Sequence, residues 1–488
     1  MRPISLRRWA QGVLLSLALT AFVLPASAQA GTKPIDKLHP SVRALLSDPL
    51  TTPFTRLRVV VVGEAGSSTL LVPFKRNREL ETVEAESISI TAVDLLKLVR
   101  RKSVHFVTAD VPVEATAVPA PPPATPSLAA LYPTVVGAPS AWAQGLDGTG
   151  VGVAVVDSGV TQLADFGSRL VRVSVAGASS DTVGHGTFAA GIAAGSSADG
   201  RYQGIAPGAT VYGLNVSRAG GLYTSDVVSA LDWVHTNAAT NNIRVVNLSL
   251  NEAATSSYLT NILDTAVERL WRAGIVVVVS SGNRGANTAS HAPANDPFAI
   301  TVGALDVNGT LDGSDDVIPS WSSGGRTLDG YVKPELVAPG RQVISTLPAG
   351  TKIAMAAPLT NIVEAGYAKL NGTSFAAPQV AGAAAILLQQ HPEYTADQVK
   401  WILTQHARSV TGGERALDLA GAVAFTGTPG SANAGVVPSY FGLVSSGVAG
   451  LDAAATWDAA ATWEAAATWE AAATWDAAAT WESYDYWD

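Results

Sequence analysis

The sequence predicts an α/β protein built on a doubly wound, mostly parallel sheet. Three observations predict it. Short, β-branched, nearly unbroken apolar runs recur at 151–156, 210–216, 244–250, 274–279 and 299–302. Runs of this kind suit strands buried on both faces of a parallel sheet. Segments with helical apolar spacing (224–235, 256–273 and 375–390) alternate with them. Apolar residues make up 47% of the 488 and charged residues only 15%, which supplies a large core.

The elements fall into six regions. Residues 1–30 read as a secretory signal. Arg2, Arg7 and Arg8 precede an apolar run over 13–24, and Ala26-Ser27-Ala28 offers a small-x-small cleavage pattern. The protein is therefore expected outside the cell or at the cell envelope. Residues 31–113 read as a small α+β unit, with strands at 57–62, 70–74, 86–90 and 104–107 and a helix at 93–99. Residues 114–127 are a Pro/Ala-rich, extended linker. The α/β unit occupies 128–425, and 426–452 is a second linker.

The last region, 453–488, is a repeat. AAATW followed by Asp or Glu occurs five times, with a tryptophan every sixth residue from Trp457 to Trp487. On a helix, six steps of about 100° scatter the tryptophans over several stripes. On a strand, an even period puts them on one side. An extended array binding a surface, a glycan or itself, and a low-complexity segment, both fit. Residues 452–488 carry −8 of the net charge of −9. The acidic balance argues against a general nucleic-acid binder. Cysteine is absent, which excludes disulfides, thiolate metal sites and cysteine nucleophiles.

Three segments carry candidate chemistry. Asp157 directly follows the strand at 151–156. His185 lies between two glycines in DTVGHGTFAAG. Ser374 opens the apolar helix in LNGTSFAAPQVAG. Singly, these read as an N-cap, a loop histidine and a helix cap. Together they supply a nucleophile, a base and an orienting carboxylate, in the order Asp, His, Ser, one of three known for such a triad. A serine hydroxyl needs an imidazole to take its proton, and the imidazole needs a carboxylate to fix its tautomer. Asn283, in Ser281-Gly282-Asn283 after a strand, is a candidate oxyanion donor. An esterase of the common type would show the order Ser, acid, His and a GxSxG elbow. Neither is present. A catalytically silent binding scaffold is the other alternative.

These blocks resemble the subtilisin-like (subtilase) serine proteases over roughly residues 130–425. The carriers are DSG at 157–159, GHGT at 184–187, GIAP at 204–207, SGN at 281–283, KPELVAPG at 333–340 and GTSFAAP at 372–378. The resemblance implies a subtilisin-like fold and a serine endopeptidase acting on polypeptides. It implies Asp157, His185 and Ser374 as the triad, and Asn283 with the Ser374 backbone N–H as the oxyanion hole. It implies Ser249, Leu250 and Asn251 as a strand that pairs with extended substrate, and residues 31–113 as a propeptide serving as intramolecular inhibitor and folding assistant. Phe188 and Gln379 stand where many relatives have His, Phe375 where many have Met, and Asn251 where Gly is usual. No cofactor is expected for the chemistry and no metal ligand is assigned. Asp312, Asp315 and Asp316 read as a solvated loop rather than a calcium site. His235, His291 and His406 read as structural residues.

Overall fold

The computed structural model describes residues 34–63, 75–83, 85–115, 130–176, 180–218 and 221–439. The signal, the 70–74 strand and the tryptophan repeat lie outside the described residues.

The N-terminal unit is a four-stranded antiparallel sheet. Its strands are β1 (Arg56–Gly63), β2 (Lys75–Leu80), β3 (Ala85–Thr91) and β4 (Val104–Ala109), ordered β2-β3-β1-β4. Helices α1 (Pro40–Ser47) and α2 (Ala92–Leu98) belong to the same unit. Side chains alternate across a strand. Val59 and Val61 of β1 accordingly join Leu38, Val42, Leu95 and Leu98 in the unit's own core. Val60 and Val62 join the large core of the α/β unit. The unbroken valine run thus has two partners, one on each face. A short strand, β5 (Val113–Ala115), ends the unit.

The α/β unit contains β6 (Gly152–Asp157), β7 (Leu170–Ser174), β8 (Thr210–Asn215), β9 (Ile243–Leu248), β11 (Val276–Ser280), β12 (Ile300–Leu305) and β13 (Leu336–Pro339) in one parallel sheet; β10 (Leu250–Glu252) lies outside it. The order is β7-β8-β6-β9-β11-β12-β13. Residues 415–416 and 408–409 add a short edge. Chain order reverses beside β6, which makes the carboxyl end of β6 and β9 the topological switch point, where sites form in open α/β sheets.

The major helices are α3 (His185–Ala194), α4 (Thr224–Asn241), α5 (Ile262–Arg272), α6 (Thr373–Gln390) and α7 (Ala396–Gln405). Two differ from expectation. Helix α4 runs six residues past His235. Asn237 and Asn241 donate to the carbonyls of Trp233 and Asn237, and Asn242 closes the helix in the left-handed region. Those last turns carry little apolar periodicity, so the pattern stops early. Helix α5 starts at Ile262, not Ser256, because the Asn261 side chain caps the N–H groups of Leu263 and Asp264. Residues 258–260 form a separate 3₁₀ turn.

The N-terminal unit docks on α4 and α5. Thr82 N–H donates to Asp232 Oδ1 at 2.5 Å, and Arg269 donates to the Thr82 carbonyl at 2.7 Å. Asp110 is buried between Arg58 and Ser225.

Candidate active site

Asp157 ends β6 at the switch point and is buried. Its Oδ1 and Oδ2 lie 2.8 and 2.9 Å from Nδ1 of His185. Ser158 N–H donates to the same Oδ1 at 2.7 Å. His185 is the first residue of α3, entered through left-handed Gly184. The helix starts against the strand end because Gly186 has no side chain. A Cβ there would lie 2.2 Å from the Gly159 carbonyl and 2.9 Å from the Asp157 Cβ.

The sequence reading missed Asp181, although it lies in the same DTVGHGT block. Its buried carboxylate accepts from Ser158 Oγ, Val183 N, Gly184 N, Thr187 N and Thr187 Oγ1 at 2.6–3.0 Å. It thereby fixes the turn into α3 and the DSG loop together. The signal available was an acid a few residues ahead of a helix start, from which a carboxylate can reach first-turn N–H groups. Burial pushes the Asp181 carboxyl up, against these hydrogen bonds.

Burial alone would lower the His185 pKa. The Asp157 charge, its hydrogen bond and the Asp181 charge outweigh burial, so the pKa is raised above the ordinary imidazole value. Nε2 of His185 is buried and has no hydrogen-bond partner. A base facing the reaction needs that nitrogen open as an acceptor.

Ser374 lies in the first turn of α6 and is fully buried. Its Oγ donates to the Ser249 carbonyl at 3.3 Å, and Ser249 Oγ donates to the Ser374 carbonyl at 2.8 Å. The neighbouring Phe375 ring sits 5.4 Å from the His185 ring and 4.6 Å from Phe188. Gln379 donates to the Pro339 and Phe375 carbonyls. The aromatic and amide replacements thus pack beneath the site without presenting a further base to it.

Asn283 follows β11. Its Oδ1 accepts from the Thr373 backbone N–H and hydroxyl, each at 3.1 Å. A backbone N–H can only donate, so the amide orientation is fixed. Nδ2 is left as a buried donor without a partner. Its geometry suits an oxygen that develops negative charge.

Strand β10 continues from Ser249, and its open edge is occupied. β5 pairs with it antiparallel, in the register Val113 with Glu252, Glu114 with Asn251 and Ala115 with Leu250. On the other side Val113 N–H donates to the Leu222 carbonyl at 2.8 Å, and Thr224 N–H donates to the Val111 carbonyl at 3.0 Å. An extended segment of this chain is thus held by main-chain bonds between β10 and residues 222–224, leading toward Ser249. The sequence assigned residue 114 onward to a linker. Proline-rich composition gives extension, but the partner strand is remote in sequence.

Among the described residues, no group of three or more His, Asp or Glu is arranged to hold a metal ion. Asp316 pairs with Arg408, Asp315 accepts from Thr310 and Asp312 accepts from Ser314 N–H. His291 Nδ1 meets the Glu252 carbonyl at 2.9 Å. No helix among the described residues is long and apolar enough to cross a membrane.

A parallel α/β sheet with a buried Asp–His pair at its switch point and a buried serine in the first turn of a helix has the fold and the groups of a serine hydrolase. Comparison with known proteins narrows this. Residues 148–435 match the family model Peptidase_S8, the Subtilase family, and the chain belongs to that family. Serine protease AprX of Bacillus subtilis is 37% identical over 273 residues, covering 53% of this chain and 62% of its own. Alkaline protease of Alkalihalobacillus alcalophilus is 33% identical over 335 residues, covering 68% and 76%. The crystal structure of fervidolysin from Fervidobacterium pennivorans, a keratinolytic enzyme related to subtilisin, superposes with a TM-score of 0.61 at 25% identity. That match covers 76% of this chain and 61% of fervidolysin.

Proposed function

We propose that this protein is an exported serine endopeptidase made as an inhibited precursor. One observation carries the reading: β5 lies on the strand that leads to Ser374, in the manner of a bound peptide. Strand addition gives main-chain affinity, and pockets between the strands give selectivity.

In this reading Ser374 Oγ attacks the scissile carbonyl carbon while Nε2 of His185 takes the hydroxyl proton. Asp157 holds the proton on Nδ1 and stabilises the imidazolium. The developing oxyanion takes hydrogen bonds from Asn283 Nδ2 and the Ser374 backbone N–H. Collapse breaks the C–N bond, and His185 returns the proton to the leaving amine. Water then attacks the acyl-enzyme, with the same imidazole as base, and releases the acid. The N-terminal unit inhibits by filling the cleft with β5, and its removal exposes β10 to other polypeptides. Residues 1–30 direct export, and the tryptophan tail binds a surface, a glycan or itself.

The test is the intact mass of the secreted product, wild type beside Ser374→Ala. The wild type is expected to lose the chain through the region just after Ala115, while the variant retains it. Retention in both would refute the proposal. Loss in both would assign the cut to another protease and move the test of Ser374 to a peptide substrate.

A further inference from the structure

The cleft next to Ser374 has two walls. One is Ser249–Asn251, and the other is the run from Ser280 to Asn283, which supplies the oxyanion donor. The space between these walls is crossed at residue 251. Here the Asn251 side chain spans it. Nδ2 donates to the Ser280 carbonyl at 2.9 Å, and the residue is wholly buried. A carbonyl can only accept, so the amide orientation is determined. Oδ1 is left as a buried acceptor without a partner. It stands 2.9 Å from the point where a side chain on Gly282 would begin. Ser323 Oγ and Arg284 Nη1 lie 3.0 and 3.3 Å from the same point. The gap is therefore short and polar on several sides.

Register says which substrate residue meets it. Ala115 lies opposite Leu250, so a peptide entering as β5 does brings its next residue opposite Ser249. Ser249 holds Ser374 through its carbonyl. That next residue is the one whose carbonyl Ser374 attacks. Residues two apart on a strand share a face, so its side chain lies on the face from which Asn251 reaches toward Ser280.

We infer that Asn251 sets the specificity at the acyl side of the scissile bond, admitting small side chains and favouring a hydroxyl that donates to its free Oδ1. This rests on the endopeptidase reading above.

The experiment uses the processed wild-type enzyme, Asn251→Gly and Asn251→Ala, each titrated with a fluorophosphonate. The substrates are a peptide series differing only in the acyl-side residue: Ser, Thr, 2-aminobutyrate, Ala, Leu and Phe. Wild type is expected to prefer Ser over 2-aminobutyrate about tenfold in kcat/KM, the worth of one net hydrogen bond. It is expected to reject Phe by a further factor of about ten or more, because the Asn251 side chain shortens the gap. Asn251→Gly should reverse the order in favour of Leu and Phe, with Asn251→Ala intermediate. A wild type that cleaves Phe or Leu best overturns the inference, whichever way the variants fold. So does equal turnover of Ser and 2-aminobutyrate. Absence of cleavage of every peptide, with no probe labelling, refutes the endopeptidase reading itself and is distinguishable from either result.

Discussion

Asp157→Asn probes the part of the site whose geometry is most tightly determined. Two donors converge on this carboxylate. Ser158 N–H meets Oδ1 at 2.7 Å, and His185 Nδ1 lies 2.8 and 2.9 Å from the two oxygens. In asparagine one of the oxygens becomes NH₂. Turning the NH₂ toward Ser158 would set two donors face to face in a buried site, at a cost of about 1–3 kcal/mol. The carbonyl therefore stays with Ser158, and the NH₂ faces Nδ1 at the distance now held by Oδ2. The carbonyl, already taken by Ser158 N–H, is then the one acceptor left to Nδ1–H, and the NH₂ beside it favours the tautomer with its proton on Nε2, which cannot accept from Ser374. The charge that stabilises the imidazolium is lost as well. A fall in kcat of about 10³–10⁴ is expected, equivalent to about 4–5.5 kcal/mol. The pH profile moves too. In the wild type the base must lose a proton from a His185 whose pKa is raised, so activity climbs with pH through a midpoint above the ordinary imidazole value of about 6.5. Without the Asp157 charge that midpoint falls. The assay is kcat/KM on one peptide from pH 5 to 10, using precursor processed in trans by a tagged, removable wild-type enzyme. A kcat within tenfold of wild type, with an unmoved midpoint and an unchanged melting temperature, would refute the reasoning.

Three further outcomes are expected. Asn283→Ala removes the unpartnered Nδ2 and should lower kcat about 10²–10³-fold with little change in KM, measured on the same peptide. Val113→Pro deletes the N–H that donates to the Leu222 carbonyl. The cleaved N-terminal unit should then inhibit about 5–10-fold less well, read as residual activity of the processed complex before its degradation. Glu335→Gln neutralises a carboxylate that receives Lys333 and Lys400 at 2.6 Å each inside the core. It leaves two buried ammonium groups facing each other and should cost about 3–5 kcal/mol, seen as a melting point lower by roughly 6–20 °C in the Ser374→Ala background.

The proposed triad was legible because each of its residues sits where a local pattern changes. Asp157 terminates an apolar run, His185 begins a helix between glycines, and Ser374 opens the apolar helix. Patterns of this sort are written in a few consecutive residues. The features that escaped depend on partners far along the chain. Asp181 was printed in the same block as His185, yet its value lies in five donors drawn from the loop, the helix and Ser158. The run at 57–62 announced a strand buried on both faces, but nothing in it says that Val60 and Val62 face another unit while Val59 and Val61 face their own. Lys333, Glu335 and Lys400 look like surface residues one at a time. Their shared burial follows only from the meeting of a loop and a helix that are 65 residues apart.

The same distinction explains why subsite selectivity is harder to read than catalysis. Catalytic groups are constrained by reaction chemistry to a few residue types in a few local settings. A pocket is the space left between walls, and its content depends on which wall a side chain crosses to. Asn251 was visible in the sequence as an unusual side chain in a substrate strand. Its consequence depends on the Ser280 carbonyl 29 positions away, which takes the Nδ2 donor and leaves the acceptor facing the gap. A glycine at 251 would leave that carbonyl and the gap to the substrate. An asparagine fills the first and gives the second a polar floor. The sequence change is one residue, but its meaning is set by the wall opposite.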